Sequence, residues 1–120
     1  MLHLSLPTIL LVDDQLGRTW KRVLSRHAVP LVAETADMAE DLFEKHPGVR
    51  LIVMDGCLGG RTLNTLHLVQ KFRRTFRGPI IAASSTPNFC DQLCHVGCDH
   101  RVIEKTDLPK LVVRLLSEMR

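Results

Sequence analysis

Five residues stand out for the chemistry they could do together: Asp13 and Asp14, Asp55, Ser84 and Lys105. Each sits at or just past the end of an aliphatic run. Ile9-Leu10-Leu11-Val12 leads into Asp13-Asp14, Leu51-Ile52-Val53-Met54 into Asp55, Pro79-Ile80-Ile81-Ala82-Ala83 into Ser84-Ser85, and Val102-Ile103 into Glu104-Lys105. Strands of a parallel sheet are near-continuous in aliphatic residues, and open α/β sheets place their ligand crevice outside the carboxyl ends of those strands. Three carboxylates, a hydroxyl and an ammonium are therefore expected in one cleft. Two unit charges ~4 Å apart repel by roughly 4 kcal/mol at an effective dielectric near 20, so adjacent carboxylates require a proton or a cation. Mg2+ suits such oxygen donors because it takes one or two carboxylates, keeps waters and reserves a place for a phosphate oxygen. A carboxylate can itself be a phosphoryl acceptor, and Asp55 is the candidate. Ser84 and Lys105 would then neutralise and position the phosphoryl oxygens.

The elements that must position these groups follow from periodicity. Leu16, Trp20, Val23 and Leu24 recur at helical spacing within residues 16–28, and residues 29–33 read as a second short strand. A helix over residues 36–45 is expected to turn Met38, Ala39, Leu42 and Phe43 inward before His46-Pro47-Gly48, with a strand at 49–54 beyond it. Residues 62–76 read as a longer helix closed by Arg77-Gly78-Pro79, residues 87–96 as a short helix capped by Gly97, and residues 100–103 as the fifth strand. The last helix starts near Asp107. It tolerates Pro109 in its first turn and carries an apolar stripe of Leu108, Leu111, Val112, Leu115, Leu116 and Met119. Five strand and helix pairs in strict alternation predict an α/β fold, a five-stranded parallel sheet with helices on both faces. The expected order is 2-1-3-4-5, the flavodoxin-like (βα)5 arrangement, whose switch point between strands one and three is where Asp13, Asp14 and Asp55 stand.

With 120 residues, 45% of them hydrophobic and 24% charged, the chain suits one domain over residues 1–120, with residues 1–7 leading into the first strand. A net charge of +3 is weak support for a nucleic-acid binder, and no direct nucleic-acid partner is expected. The apolar start lacks a cationic region and a small-residue cleavage site, so it reads as a strand rather than a secretory leader. No apolar stretch approaches the ~18 residues of a membrane span. Cys57, Cys90, Cys94 and Cys98 read as reduced thiols of a cytoplasmic protein.

In this order and spacing, Asp13-Asp14, Asp55, Ser84 and Lys105 resemble the receiver domain of two-component response regulators, over essentially the whole chain. The resemblance implies a phosphoacceptor module of a two-component or phosphorelay system, in which Asp55 takes the phosphoryl group from a histidine kinase or a histidine phosphotransfer protein. It further implies that Asp14 and Asp55 bind Mg2+ directly, that Asp13 acts mainly through water, and that the Cys57 carbonyl completes the protein ligands. Ser84 stands at the switch hydroxyl, and Lys105 where the family pairs a lysine with the phosphoryl group. An output partner, a homodimer across the fourth helix, fifth strand and fifth helix, and no catalysis beyond the module's own phosphoryl transfer and dephosphorylation are implied as well. Cys57 and Thr86 occupy the positions through which the family tunes phosphoryl lifetime.

The chain departs from the family in three places. Val102 stands where an aromatic residue is usual, three positions before the lysine, and Thr106 replaces the proline that commonly follows it. No cis peptide is expected there, because a non-proline cis bond costs ~3 kcal/mol. Gly56-Cys57-Leu58-Gly59-Gly60 lacks the frequent Met-Pro pair, and its glycines predict a mobile loop. These departures motivate an alternative, a receiver-like protein-interaction domain that works without phosphorylation. A phosphohydrolase acting on external substrates is disfavoured by the lack of a cap or insertion.

Other residues read more plainly. Cys90, Cys94 and Cys98, with His95 and His100 nearby, invite a metal or redox role, but their spacing is also that of a buried stripe. Lys71, Arg73, Arg74 and Arg77 place positive charge at a helix C-terminus, where the dipole favours it. His3, His27, His46 and His67 read as surface or cap residues, and Trp20 as core.

Overall fold

Strands whose side chains are aliphatic on both sides can be covered only by helices on both sides, and the chain alternates accordingly. A computed structural model describes residues 5–119. The expected course of residues 1–4, the place of His3 and the end of the chain at Arg120 lie outside the described residues. The elements are β1 (Thr8–Val12), α1 (Gly17–Leu24), β2 (Val29–Ala33), α2 (Ala36–Lys45), β3 (Leu51–Asp55), α3 (Leu66–Arg73), β4 (Ile80–Ala83), α4 (Pro87–Val96), β5 (His100–Val102), a 3-10 turn (Lys105–Asp107) and α5 (Leu108–Glu118). All strand pairs are parallel, and the order is β2-β1-β3-β4-β5, as the alternation predicts.

Successive strand residues point to opposite faces, so the sheet divides the interior into two layers. Leu10, Val12, Ile52, Met54, Ile80 and Ala82 pack toward Ala39, Leu68, Phe72 and Leu93 of α2, α3 and α4. The alternate set, Ile9, Leu11, Leu51, Val53, Ile81 and Ala83, meets Trp20, Leu24, Val112 and Leu116 of α1 and α5. Phe43 stacks on Phe72 with ring centroids 4.4 Å apart, closing the first layer beneath α2 and α3. Trp20 is core, as expected, and its buried indole N–H has no hydrogen-bond partner among the described residues, so it serves packing alone.

Some boundaries and orientations differ from the sequence reading. The first helix ends at Leu24, because the Leu24 carbonyl accepts the amides of both His27 and Ala28 and the chain turns there toward β2. Of the residues expected on the inward stripes, Trp20, Leu24 and Ala39 are buried, whereas Val23 and Met38 are exposed. The third strand starts at Leu51, and the third helix starts at Leu66 rather than residue 62.

Arg73 is not a dipole-facing surface cation. Its Nε and Nη2 donate to the Gly97 carbonyl at 3.0 and 2.8 Å, and Nη1 donates to the carbonyls of Phe76 and Gly78 at 3.0 and 2.8 Å. Nη2 also pairs with Asp99 Oδ2 at 2.6 Å, and that same oxygen accepts the Ile80 amide at 2.9 Å. The guanidinium thus ties the end of α3, the start of β4, the end of α4 and the approach to β5 into one corner. Gly97 is required in that corner. Its φ of +145° is disfavoured for other residues, and a Cβ there would come within 3.2 Å of Val69 Cγ1 and 3.3 Å of Arg73 Cγ.

Candidate functional site

Sheet register brings the acidic residues together. Val12 pairs with Met54, so Asp13 and Asp55 each stand one residue beyond that pair, at the carboxyl ends of adjacent strands. Asp55 itself pairs with Ala83, which places Ser84 just past the acceptor strand's other neighbour. Ala83 pairs in turn with Val102, and the 3-10 turn that follows β5 begins at Lys105.

Asp13, Asp14 and Asp55 each offer a carboxylate oxygen within 4.8 Å of the others. Asp13 is almost fully buried. Its Oδ1 accepts the amides of Gln15 at 2.8 Å and Leu16 at 2.7 Å, an Asx-type turn that launches the chain into α1. Its Oδ2 faces Lys105 Nζ at 3.4 Å. Lys105 Nζ lies 3.5 Å from Asp55 Oδ1 as well, so one ammonium stands between two buried carboxylates without a short bond to either. Asp14 Oδ2 accepts the Gly59 amide at 2.7 Å, linking the β1–α1 and β3–α3 loops.

Burial pushes the Asp55 carboxyl up from 3.8 to about 6, and the Asp13 charge adds to the rise. The Lys105 charge, the Cys57 amide and the hydrogen bond from Lys105 act in the opposite direction and do not cancel it. Two carboxylates and one ammonium thus leave negative charge in excess, and all the donors are hard oxygens. That is the donor set Mg2+ takes, so the residues present fit the ion the resemblance implies. Among the described residues this is the one grouping of His, Cys, Asp or Glu atoms with metal-ligand spacing.

The β3–α3 loop, expected to be mobile on account of its glycines, is tied at several points. Asn64 Oδ1 accepts the Leu58 amide at 2.9 Å, and Asn64 Nδ2 donates to the Leu58 carbonyl at 2.7 Å. The Asn64 amide donates to the Gly56 carbonyl at 3.0 Å. Thr65, fully buried, donates its hydroxyl to the Asp55 carbonyl at 2.8 Å and lies 3.2 Å from that of Gly56. These bonds hold residues 62–65 in the loop and delay α3 to Leu66. The sequence reading missed Asn64 and Thr65; an Asn-Thr pair at the start of a helical pattern is a turn and cap signal that was available.

Ser84 is buried, and its Oγ accepts the Thr86 amide at 3.2 Å while its own amide donates to the Val102 carbonyl. Cys57 is half-buried beside the acidic group, and burial together with the charges of Asp55 and Asp14 raises its thiol pKa. Cys90 and Cys98 are buried with pKa values raised by burial, and all four cysteines are free. Cys90 and Cys94 lie on the core side of α4 and Cys98 packs into the same layer just beyond it, and among the described residues none of them joins a group with metal-ligand spacing. Val102 is buried in the α1 and α5 layer, and every described peptide bond, including that before Thr106, is trans.

No protein-family model matches the chain, and no curated protein matches it. Solved structures do. A two-component response regulator from Clostridium difficile superposes with a TM-score of 0.79 over 95% of this chain and 98% of its own, at 18% identity. The BeF3-activated N-terminal receiver domain of Klebsiella pneumoniae RstA gives 0.76 over 94% and 98%, at 22% identity. The chain has the receiver fold. A response regulator from Burkholderia pseudomallei, solved with a phosphorylated aspartic acid, calcium ion and citrate, shares it at a TM-score of 0.78 and 20% identity, over 94% of this chain and 70% of its own. Likeness at these identities is a likeness of fold, and the acidic crevice lies where an open α/β sheet of this order places its ligands. No helix among the described residues is long and apolar enough to cross a membrane.

Proposed function

We propose that this chain is a phosphoacceptor module of a two-component or phosphorelay system, taking a phosphoryl group onto Asp55 from a histidine kinase or histidine phosphotransfer protein. The observation that carries the reading is the placement of Asp55, buried at a strand end with the Asp13 and Asp14 carboxylates within 4.8 Å and Lys105 Nζ at 3.5 Å. The receiver fold and the phosphorylated aspartic acid of the Burkholderia pseudomallei structure support it.

The transfer is a displacement at phosphorus. An Asp55 carboxylate oxygen forms the new P–O bond as the P–N bond of the donor phosphohistidine breaks, and the imidazole leaves with that electron pair and takes up a proton. Asp55 must be ionised to attack, which a pKa of about 6 permits near neutral pH. Lys105, free of a short bond to either carboxylate, is placed to turn toward a phosphoryl oxygen, and Ser84 offers a hydroxyl to another. When bound by Asp14 and Asp55, with Asp13 through water and the Cys57 carbonyl, Mg2+ would supply charge neutralisation for those oxygens. In this reading the chain's chemistry is its own phosphoryl transfer and dephosphorylation.

The phosphoryl group then biases two conformations that differ in partner binding. The output partner, and a homodimer through α4, β5 and α5, would use that difference, in a cytoplasmic setting. Beryllofluoride with Mg2+, followed by amide NMR, tests the reading. Shifts at Gly56, Ser84 and Lys105 that vanish in Asp55→Asn are expected; an unchanged wild-type spectrum would overturn it.

A further inference from the structure

The two ends of α4 are held very differently. At its C-terminal end the Gly97 carbonyl takes two hydrogen bonds from Arg73, the Cys98 amide donates to the Leu93 carbonyl at 3.0 Å, and Leu93 is fully buried. At the other end residues 85–88 are exposed, and the Thr86 side chain makes no capping bond to the helix. Phe89 is the first residue of α4 that packs.

What Phe89 packs against is the residue next to Asp55. Gly56 is buried, and a Cβ built on it would lie 3.5 Å from Phe89 Cβ, 3.6 Å from the ring Cδ2 and 3.3 Å from Leu63 Cδ1. The bare Cα of Gly56 therefore lets the first turn of α4 come against the acceptor strand's end. On its other side Gly56 is gripped through its carbonyl by Asn64 and Thr65. A change at Asp55 that moves Gly56 meets the Phe89 side chain directly, at the end of the helix that is tied to the strand ends by the Ser84 Oγ–Thr86 amide bond and the buried Cys90 rather than by a guanidinium.

We propose that Phe89 is the positioning residue that couples the occupancy of Asp55 to α4, with the Arg73 corner at Gly97 as the fixed end about which the helix pivots. The inference rests on the acceptor reading above and adds its route to the partner face. The contact is purely steric, so it transmits displacement without a hydrogen bond to exchange. Packed cores rearrange between discrete arrangements rather than deforming continuously, which is what a latch of this kind requires.

Amide NMR of wild type, Phe89→Ala, Phe89→Leu and Gly56→Val, each titrated with beryllofluoride and Mg2+, tests the coupling. In Phe89→Ala the shifts at Gly56 and Lys105 are expected to persist, while those along α4 from Cys90 to Val96 shrink at least threefold; Phe89→Leu, which restores the bulk, recovers most of them. Gly56→Val adds two methyl groups where a Cβ already meets its neighbours, and is expected to move the α4 amides toward their bound positions without beryllofluoride. Full α4 shifts in Phe89→Ala would overturn the proposal. Should that variant not fold, α4 amides unmoved in Gly56→Val would overturn it equally. Absence of any response in wild type would overturn the acceptor reading itself, which separates the two failures.

Discussion

Lys105 Nζ stands 3.5 Å from Asp55 Oδ1 and holds that position from the turn after β5, fifty residues further along the chain. It is the cation that keeps Asp55 from rising further, because both its charge and its hydrogen bond lower the Asp55 pKa. In Lys105→Ala the Asp55 carboxyl is expected to titrate above its wild-type value of about 6, read by side-chain carboxyl NMR. At pH 7.5 the variant should lose about 1–3 kcal/mol of stability in urea denaturation, the usual cost of leaving a buried polar group without its partner. The loss should be smaller at pH 5, where Asp55 is largely protonated and needs no partner.

Asp55 also sets a pH dependence of stability. Its folded pKa is raised above the unfolded value, so the folded state binds the proton more tightly. Its stabilising contribution is complete below about pH 4 and is lost as pH rises through 6. Without Mg2+, Asp55→Asn should therefore be more stable than wild type at pH 7.5 by several degrees in thermal melts, with the gap closing toward pH 4. Mg2+ should raise the wild-type melting temperature more at pH 7.5 than at pH 5, because metal and proton compete for the same oxygens.

Thr65 anchors the loop that carries the candidate Cys57 ligand. Thr65→Val keeps the volume and removes the buried hydroxyl, leaving the Asp55 carbonyl without that donor. A loss of about 1–2 kcal/mol in urea denaturation is expected, with faster amide exchange at residues 57–60. Unchanged exchange would show that the Asn64 bonds suffice alone.

Arg73 is expected to be sensitive to even a conservative change. Five hydrogen bonds to four residues of two connections cannot be replaced by an ammonium, so Arg73→Ala should cost about 3 kcal/mol or more and Arg73→Lys should recover less than half of it in the same assay.

The parts legible in the sequence were those written as hydrophobic period. Aliphatic runs ending in Asp13, Asp55 and Ser84 were enough to order the strands and to place those residues at one sheet edge, because parallel pairing leaves few alternatives. Less legible was everything decided by a side chain bonding to distant backbone. Asn64 and Thr65 have ordinary helix-start character, yet their bonds to Leu58, Asp55 and Gly56 shorten α3 and fix a loop whose glycines read as mobile. Arg73 sits in a run of four cations, and only the fold shows that it alone turns inward. Val23 and Met38 illustrate the remaining ambiguity: on short helices an apolar stripe is compatible with more than one facing, and tertiary packing chooses.

The central claim is that Asp55 accepts a phosphoryl group, and intact-mass analysis after incubation with acetyl phosphate and Mg2+ tests it most directly. A single phosphoryl adduct that is absent in Asp55→Asn is the expected result. Folded wild-type protein that binds Mg2+ and gains no adduct, or an Asp55→Asn variant that gains the same one, would contradict it.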